Sequence, residues 1–452
     1  MSFRTTLIVA LILVLLGGYA YFIEFKGSEK KKEQEEKQKT LLEVKKDEVA
    51  EIRLDGLEQP VKIVSSSNET WQITSPLQAR ADETAVSRIL NQLEKLKYHE
   101  IIEEQPKDLA SYGLDAPKLT VQIVLKKNLG ERSVMVGGRN PVGNLYYLRV
   151  NKDPRVYTVE GSVGDISTIT LFELRDKKLT DFTGEKVESL AFRTAKSDLL
   201  FRKESGVWKM KKPVESPASD NEISSLLSSL EFLRATEFID KPSQNLADYG
   251  LGQPAAVAEL QLEKGLQQKI LFGGKEGDQI YCRVEGSSSI AKVSDSFTAY
   301  IDKKLDDWRE KKLLVFNRFD AEEVRVKTAD KEYILKKGKE EKWSQESPQK
   351  GELESDKVQD ILEKLESAEI STYSDKPNLA IPPVLEVSLT LKDWQDKVSK
   401  KHLAFGAVHE NLQAVKNDAY NTVVFANGAL QKQLETALAE LKPKPPTPPP
   451  AK

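Results

Sequence analysis

Apolar residues in this chain fall into alternating runs and one helical stripe, and the whole set occurs three times in the same order. The first alternation places Ile52 and Leu54, Leu190 and Phe192, and Val324 and Val326 on one face of a strand, with polar residues between them. Each strand leads toward a Trp. Trp71, Trp208 and Trp343 lie roughly 135 residues apart, a period that means duplicated domains rather than a short solenoid repeat. A Pro follows each of them, at Pro76, Pro213 and Pro348, and ends the strand because it cannot donate to the ladder.

The period then becomes helical. Val86, Ile89, Leu90, Leu93 and Leu96 form one stripe, matched by Ile223, Leu226, Leu227, Leu230 and Leu233, and by Val358, Ile361, Leu362, Leu365 and Ala368. Asp82 and Ser219 are placed as helix caps, and Ser219 with Glu222 reads as an S-x-x-E capping box. Past the helix, Tyr112-Gly113-Leu114-Asp115-Ala116-Pro117 recurs as Tyr249-Gly250-Leu251-Gly252-Gln253-Pro254, with only Ile381-Pro382-Pro383 in the third copy. Such a turn delivers the chain into a strand, since Gly permits positive φ and Pro fixes the next entry.

That strand alternates through Leu119, Val121, Ile123 and Leu125, then Ala256, Ala258, Leu260 and Leu262, then Leu385, Val387, Leu389 and Leu391. Gly137-Gly138, Gly273-Gly274 and Gly406 are expected to mark a corner. Further strands follow at Tyr147-Leu148-Arg149, Tyr281-Cys282-Arg283 and Ala414-Val415-Lys416, and then around 156–159, 291–293 and 422–425. A short helix ends the first two copies in Arg175-Asp176-Lys177-Lys178-Leu179 and Arg309-Glu310-Lys311-Lys312-Leu313, an ending the third lacks. A one-striped helix must bury its stripe on the flanking strands. The expected fold class is therefore α+β, with three homologous domains in tandem, each a mainly antiparallel sheet with one long helix and a shorter terminal one.

These landmarks place the repeat domains at residues 47–182, 183–318 and 319–441, the last divergent. Ahead of them, residues 7–23 carry no charge and can cross a hydrocarbon core of about 30 Å at about 1.5 Å per residue. A cleaved signal peptide would need a small-x-small site after the apolar run, where bulky Tyr21, Phe22 and Phe25 stand instead. An N-terminal transmembrane helix at residues 5–25 is the expectation, with residues 1–4 cytoplasmic. Lys26, Lys30, Lys31 and Lys32 after the span argue against sending the rest across, yet long domains translocate largely regardless of such charges. The expected location is the bacterial inner membrane, single-pass, with the bulk of the chain periplasmic or extracytoplasmic. Residues 26–46 read as a charged stalk, and the Pro-rich tail 442–452 as disordered, extended chain that does not pack.

Charge narrows the function classes. A net charge of −3 and a pI near 6.0 provide no basic footprint for nucleic acid. One cysteine, Cys282, rules out an intrachain disulfide or a cysteine-cluster metal site. Its place matches Leu148 and Val415, so it reads as a small core hydrophobe.

Other candidates have plain structural readings. The run Gly137 to Gly143 lacks the Gly-Lys-Ser/Thr of a phosphate loop and reads as a hairpin corner rather than an anion nest. His402 and His409 flank an expected corner, while His99 stands apart; two His without a carboxylate cluster make a poor zinc site. Trp71, Trp208 and Trp343 are read as core residues, with sugar stacking as the alternative. One polar feature is kept in all three copies, namely Arg149, Arg283 and Lys416. They either ion-pair within each fold, the preferred reading, or face a partner. No cofactor, metal or catalytic residue is expected.

At the YGL-x-x-P turns, the Gly-Gly pairs and the R-[DE]-K-K-L endings, the chain resembles the bacterial family of the domain of unknown function 4340, over most of residues 47–318 and more weakly in the third copy. The resemblance implies a single-span membrane protein with a large extracytoplasmic part, associated with ABC-type export or gliding-motility components. It implies no catalytic residues. The expected function is non-enzymatic: a membrane-anchored scaffold or interaction subunit of an envelope complex, with protein partners that include an ABC-type permease. The alternative is a glycan- or lipid-binding module lodged between repeats.

Overall fold

The alternating runs become strands whose apolar faces are fully buried. In the first copy these are β1 (Val49–Asp55), β2 (Val61–Ser65), β3 (Trp71–Ser75), β4 (Ala79–Arg80), β5 (Glu100–Glu103), β6 (Leu119–Leu125), β7 (Glu131–Arg139), β8 (Leu145–Val150) and β9 (Val156–Glu160). The computed structural model describes Tyr19 and residues 39–444, apart from 67–69, 95, 339–340, 375, 377–378 and 421. The expected cytoplasmic N-terminus, the membrane span apart from Tyr19 and residues 26–38 of the stalk thus lie outside the described residues, as does the tail beyond Lys444. Among the described residues, no helix is long and apolar enough to cross a membrane.

Each copy forms one nine-stranded antiparallel sheet. The order in the first is β4-β3-β2-β1-β6-β7-β8-β9-β5, and the sheets within residues 187–294 and 321–427 repeat it strand for strand. The chain lays down a four-stranded meander, crosses by the long helix to the far edge, and deposits β5 beside β9. It then returns to the centre to begin β6 against β1. The strands bracketing the middle were legible from alternation. Short β4 and the half-buried edge strand β5 were not, because neither carries a period long enough to read.

The long helices Glu83–Glu94, Asp220–Glu231 and Ser355–Ser367 bury the expected stripe, each closing just before its last member, so Leu96, Leu233 and Ala368 follow the helix rather than end it. Each fully buried aliphatic side chain in the stripe contributes about 1.5–3 kcal/mol. Asp82 accepts the Ala85 amide at 2.9 Å, and Ser219 accepts the Glu222 amide at 3.4 Å. The capping box is not closed, because the Glu222 carboxylate pairs with Lys303 instead. First-turn carboxylates also catch the strand carrying the Trp: Glu83 accepts the Trp71 amide at 2.9 Å, and Asp220 accepts the Trp208 amide at 3.2 Å.

By its contacts the chain divides into two units, Met1–Lys177 and Lys178–Lys452, the second holding both later sheets. The break falls within the first of the two R-[DE]-K-K-L endings. Their first half belongs to the copy just completed, as the Asp176 amide donates to Arg80 O at 2.9 Å and the Glu310 amide to Pro217 O at 3.2 Å. Their second half belongs to the copy that follows. Leu179 donates to Leu233 O at 2.9 Å and Leu313 to Ala368 O at 2.8 Å, as Leu41 does to Leu96 O at 2.9 Å.

Two expected boundaries change accordingly. Leu42 and Val44, expected in the stalk, are buried in the first core. The tail was expected not to pack, yet Lys444 exchanges both backbone hydrogen bonds with Glu352 at 2.9 Å, the place Asp176 and Glu310 take in their own copies. Polyproline-rich composition hid this because the bridge is made by the main chain, with the Lys444 ammonium pairing to Glu354 at 3.3 Å beside it.

Candidate functional site

The YGL turns and the glycine pairs form one structure. To pass from β5 at the sheet edge to β6 in the centre, the chain must traverse the ends of β9, β8 and β7. It crosses β7 at the YGL turn. Tyr112 and Tyr249 close short 3-10 turns, and Gly113 and Gly250 follow in the left-handed region, at φ 63° and 67°. Gly137-Gly138 and Gly273-Gly274 are not corners, as expected, but lie inside strands at a β-bulge, with the register shifting between Val136 and Arg139 and between Phe272 and Lys275.

The bulge lets two backbones touch. A Cβ on Gly137 would stand 2.3 Å from Tyr112 O, and one on Gly273 would stand 2.2 Å from Tyr249 O. Leu114 and Leu251 plug into the contact and are buried. The tyrosine rings meet Tyr147 and Tyr281 edge-on, with centroids 5.0 Å and 5.2 Å apart. In the third copy the Ile381 side chain crosses in place of a carbonyl, and one glycine, Gly406, suffices, with exposed Ala407 in the second position. The motif therefore solves a crossing problem.

Arg149, Arg283 and Lys416 occupy one register position in their three sheets, opposite Met135, Leu271 and Ala404. Among the described residues none forms the expected intrafold ion pair. Arg149 donates to Asp153 O at 3.2 Å and Arg283 to Ser287 O at 3.3 Å, so both guanidiniums close the hairpin that follows their own strand. Lys416 is exposed, without a hydrogen-bonding or ionic partner among the described residues. Each sits in its own sheet.

In the first of these hairpins, Arg155 grips Asp153 at 2.7 Å and Tyr157 donates to the same carboxylate at 2.7 Å. The Arg155 hydrogen bonds hold the Asp153 carboxyl well below the usual carboxylate range. Burial, followed by the bond to Asp153, pushes the Tyr157 phenol up.

His402 and His409 stand on one strand, Val398–His409, and do not meet across a corner. His402 lies between Glu386 at 3.5 Å and Asp418 at 3.1 Å, and His99 is exposed. Among the described residues no group of three His, Cys, Asp or Glu side chains is arranged to hold a metal ion. Cys282 is buried opposite Phe272, and burial pushes its thiol up, as suits the core role read from its register. Trp71, Trp208 and Trp343 are 4%, 4% and 1% exposed, which leaves no face for a sugar.

The outer face of the second sheet holds an open depression of about 610 Å³, lined by Ser189, Ala191, Glu259, Gln261, Lys269 and Glu285. Its acid is already engaged: Arg193 and Lys269 both pair with Glu259, the latter at 3.3 Å, and the Arg193 bond lowers the Glu259 carboxyl below its ordinary range. A second lining carboxylate, Glu285, lies 3.7 Å from Lys269, so the floor is a charged, polar surface.

The profile of the family described as "Domain of unknown function (DUF4340)" matches residues 71–206 and 208–383, and the chain belongs to that family. Both matches begin in a Trp-bearing strand; the first ends after the opening two strands of the second copy, and the second runs on through the Trp strand and long helix of the third. No curated protein matches the chain. Among solved structures, a DNA polymerase sliding clamp from Pseudomonas aeruginosa with ligand aligns at 7% identity and a TM-score of 0.15, over 86% of this chain and 93% of that one, a likeness that carries no argument.

Proposed function

We propose that this chain is a membrane-anchored, extracytoplasmic scaffold or interaction subunit of a bacterial envelope complex, beside an ABC-type transport or gliding-type system. The observation that carries this reading is how the recurring motifs are used. The three Trp fill cores, each YGL turn packs on its glycine pair, and the R-[DE]-K-K-L endings tie the end of one copy to the start of the next. Residues that recur thus build the fold rather than a chemical centre, and a repeated domain multiplies the surface available for binding.

The uncharged segment 7–23 supports a single-pass anchor in the inner membrane, and the signal-anchor arrangement supports an extracytoplasmic location for the large domains. The role is non-enzymatic and calls for protein partners rather than a cofactor. Cross-linking the full chain in its native membrane, followed by affinity purification, tests it. Recovery of an ABC-type permease is the expected result. Recovery of no partner, under conditions that retrieve a known envelope complex, overturns the scaffold reading.

A further inference from the structure

The hairpin joining the sixth and seventh strands of each sheet ends in an exposed large apolar residue. In the first copy it is Leu129, 50% exposed; in the second Leu266, 63%; in the third Trp394, 88%. Three tips of unrelated sequence keep one property. Each also carries an exposed lysine with no carboxylate partner among the described residues, namely Lys127, Lys264 and, in the third, Lys397 with Lys400. The third tip is the most developed. Lys392, Lys397, Lys400 and Lys401 stand against Asp393 and Asp396, so residues 392–401 are net positive, and Asp396 is already taken by Lys392 at 2.6 Å.

We infer that the 392–401 hairpin, led by Trp394, is a membrane-surface contact that inserts its indole into the interface of an anionic lipid leaflet. Three observations select lipid over other partners. The equivalent residues Leu129 and Leu266 are aliphatic, and an aliphatic tip can enter acyl chains but cannot stack on a sugar. The unpaired lysines match anionic headgroups, while Trp is the side chain that favours the headgroup level. The turn also satisfies several of its own backbone amides, which lowers the cost of insertion. Asp393 Oδ1 accepts the Gln395 and Lys397 amides, both at 2.9 Å; the Asp393 amide donates to Lys397 O at 3.1 Å, and that of Asp396 to Asp393 O at 3.0 Å. This inference rests on the reading that the chain lies at a membrane.

The test reconstitutes the full-length chain into vesicles of phosphatidylcholine and phosphatidylglycerol with brominated acyl chains. Bromine quenches only the indoles it touches, and Trp71, Trp208, Trp308 and Trp343 are all buried. The emission lost on Trp394→Phe therefore isolates the tip. The expected result is that this component is blue-shifted and quenched, less so without phosphatidylglycerol or at high salt. Trp394→Ala should lower binding of the tip to the interface about tenfold or more, the worth of burying one large apolar side chain.

A Trp394 component that stays unquenched, in a chain that resists alkaline carbonate extraction, overturns the inference and leaves the anchor standing. Shielding of Trp394 from acrylamide by cell-wall glycan or by a protein, with lipid leaving it open, overturns it equally. If carbonate strips the chain from the vesicles, the anchoring reading fails instead. Quenching of Trp394 by vesicles added from outside then still decides whether the tip binds lipid.

Discussion

Two adjacent glycines should respond in opposite ways to the same added methyl group. A Cβ at Gly273 would lie 2.2 Å from Tyr249 O and 3.0 Å from Leu251 Cγ, whereas one at Gly274 has its nearest neighbour, again Tyr249 O, at 3.6 Å. Ordinary contact begins near 3.4 Å, so Gly273→Ala needs the crossing backbone to withdraw by more than 1 Å, and Gly274→Ala needs nothing to move. A main-chain carbonyl held by the turn cannot swing aside as a side chain does. Overpacking of this kind costs about 1–3 kcal/mol and more where the neighbour is rigid, so we expect about 3 kcal/mol for Gly273→Ala. Gly274→Ala should be neutral or stabilising by up to about 1 kcal/mol, because alanine has less unfolded-state entropy to lose.

The assay is hydrogen exchange resolved by peptide, since a chain of several domains has no single unfolding free energy. For Gly273→Ala, protection in the segments holding Tyr249 to Leu251 and Phe272 should fall by about two orders of magnitude, at about 1.4 kcal/mol per tenfold. Gly274→Ala should leave it unchanged. Equal loss in both variants would refute the argument that the crossing backbone, rather than glycine flexibility in the bulge, requires the first position. The third copy already carries Ala407 in the second position.

Three further outcomes are expected. Cys282→Val should cost less than about 1.5 kcal/mol, because Val415 fills the same register position, and the native thiol should resist iodoacetamide until the chain unfolds; ready alkylation of the folded protein would contradict this. The Asp153 carboxyl is held below its ordinary value of about 4, so its contribution to the β8–β9 hairpin is complete above that pH and is lost as pH falls below it. Exchange in residues 150–157 should therefore speed up selectively in acid, and Asp153→Asn should abolish that pH dependence. At the start of the third copy, Tyr373 donates to Glu310 O at 2.6 Å while Arg309 stacks over its ring, 4.3 Å from the centroid. Tyr373→Phe should loosen this junction by about 1 kcal/mol, and Arg309→Ala by more, read as faster proteolysis after Lys311 or Lys312.

The core of this protein was legible because its strands are half-buried and its helices one-striped, so burial imposes a period that survives in the residue order. Ile52, Leu90 and Val121, with their counterparts, appear where alternation and stripe place them. The matching of Cys282 to Leu148 and Val415 was legible for the same reason, since one register shift would move a whole face to solvent. What the residue order alone could not decide were contacts made by the backbone or between segments far apart along the chain. The glycine pairs looked like corners because glycine signals a turn locally, and only the return path from β5 to β6 shows that a carbonyl needs their empty space. Arg149 and Arg283 looked like ion-pair partners, yet carbonyls in the hairpins they close take their charge. Lys444 was hidden in a proline-rich tail because main-chain pairing leaves no mark on composition. Trp394 also went unread, since a turn residue has no period and only the folded hairpin, set beside Leu129 and Leu266, reveals it as one of three exposed tips.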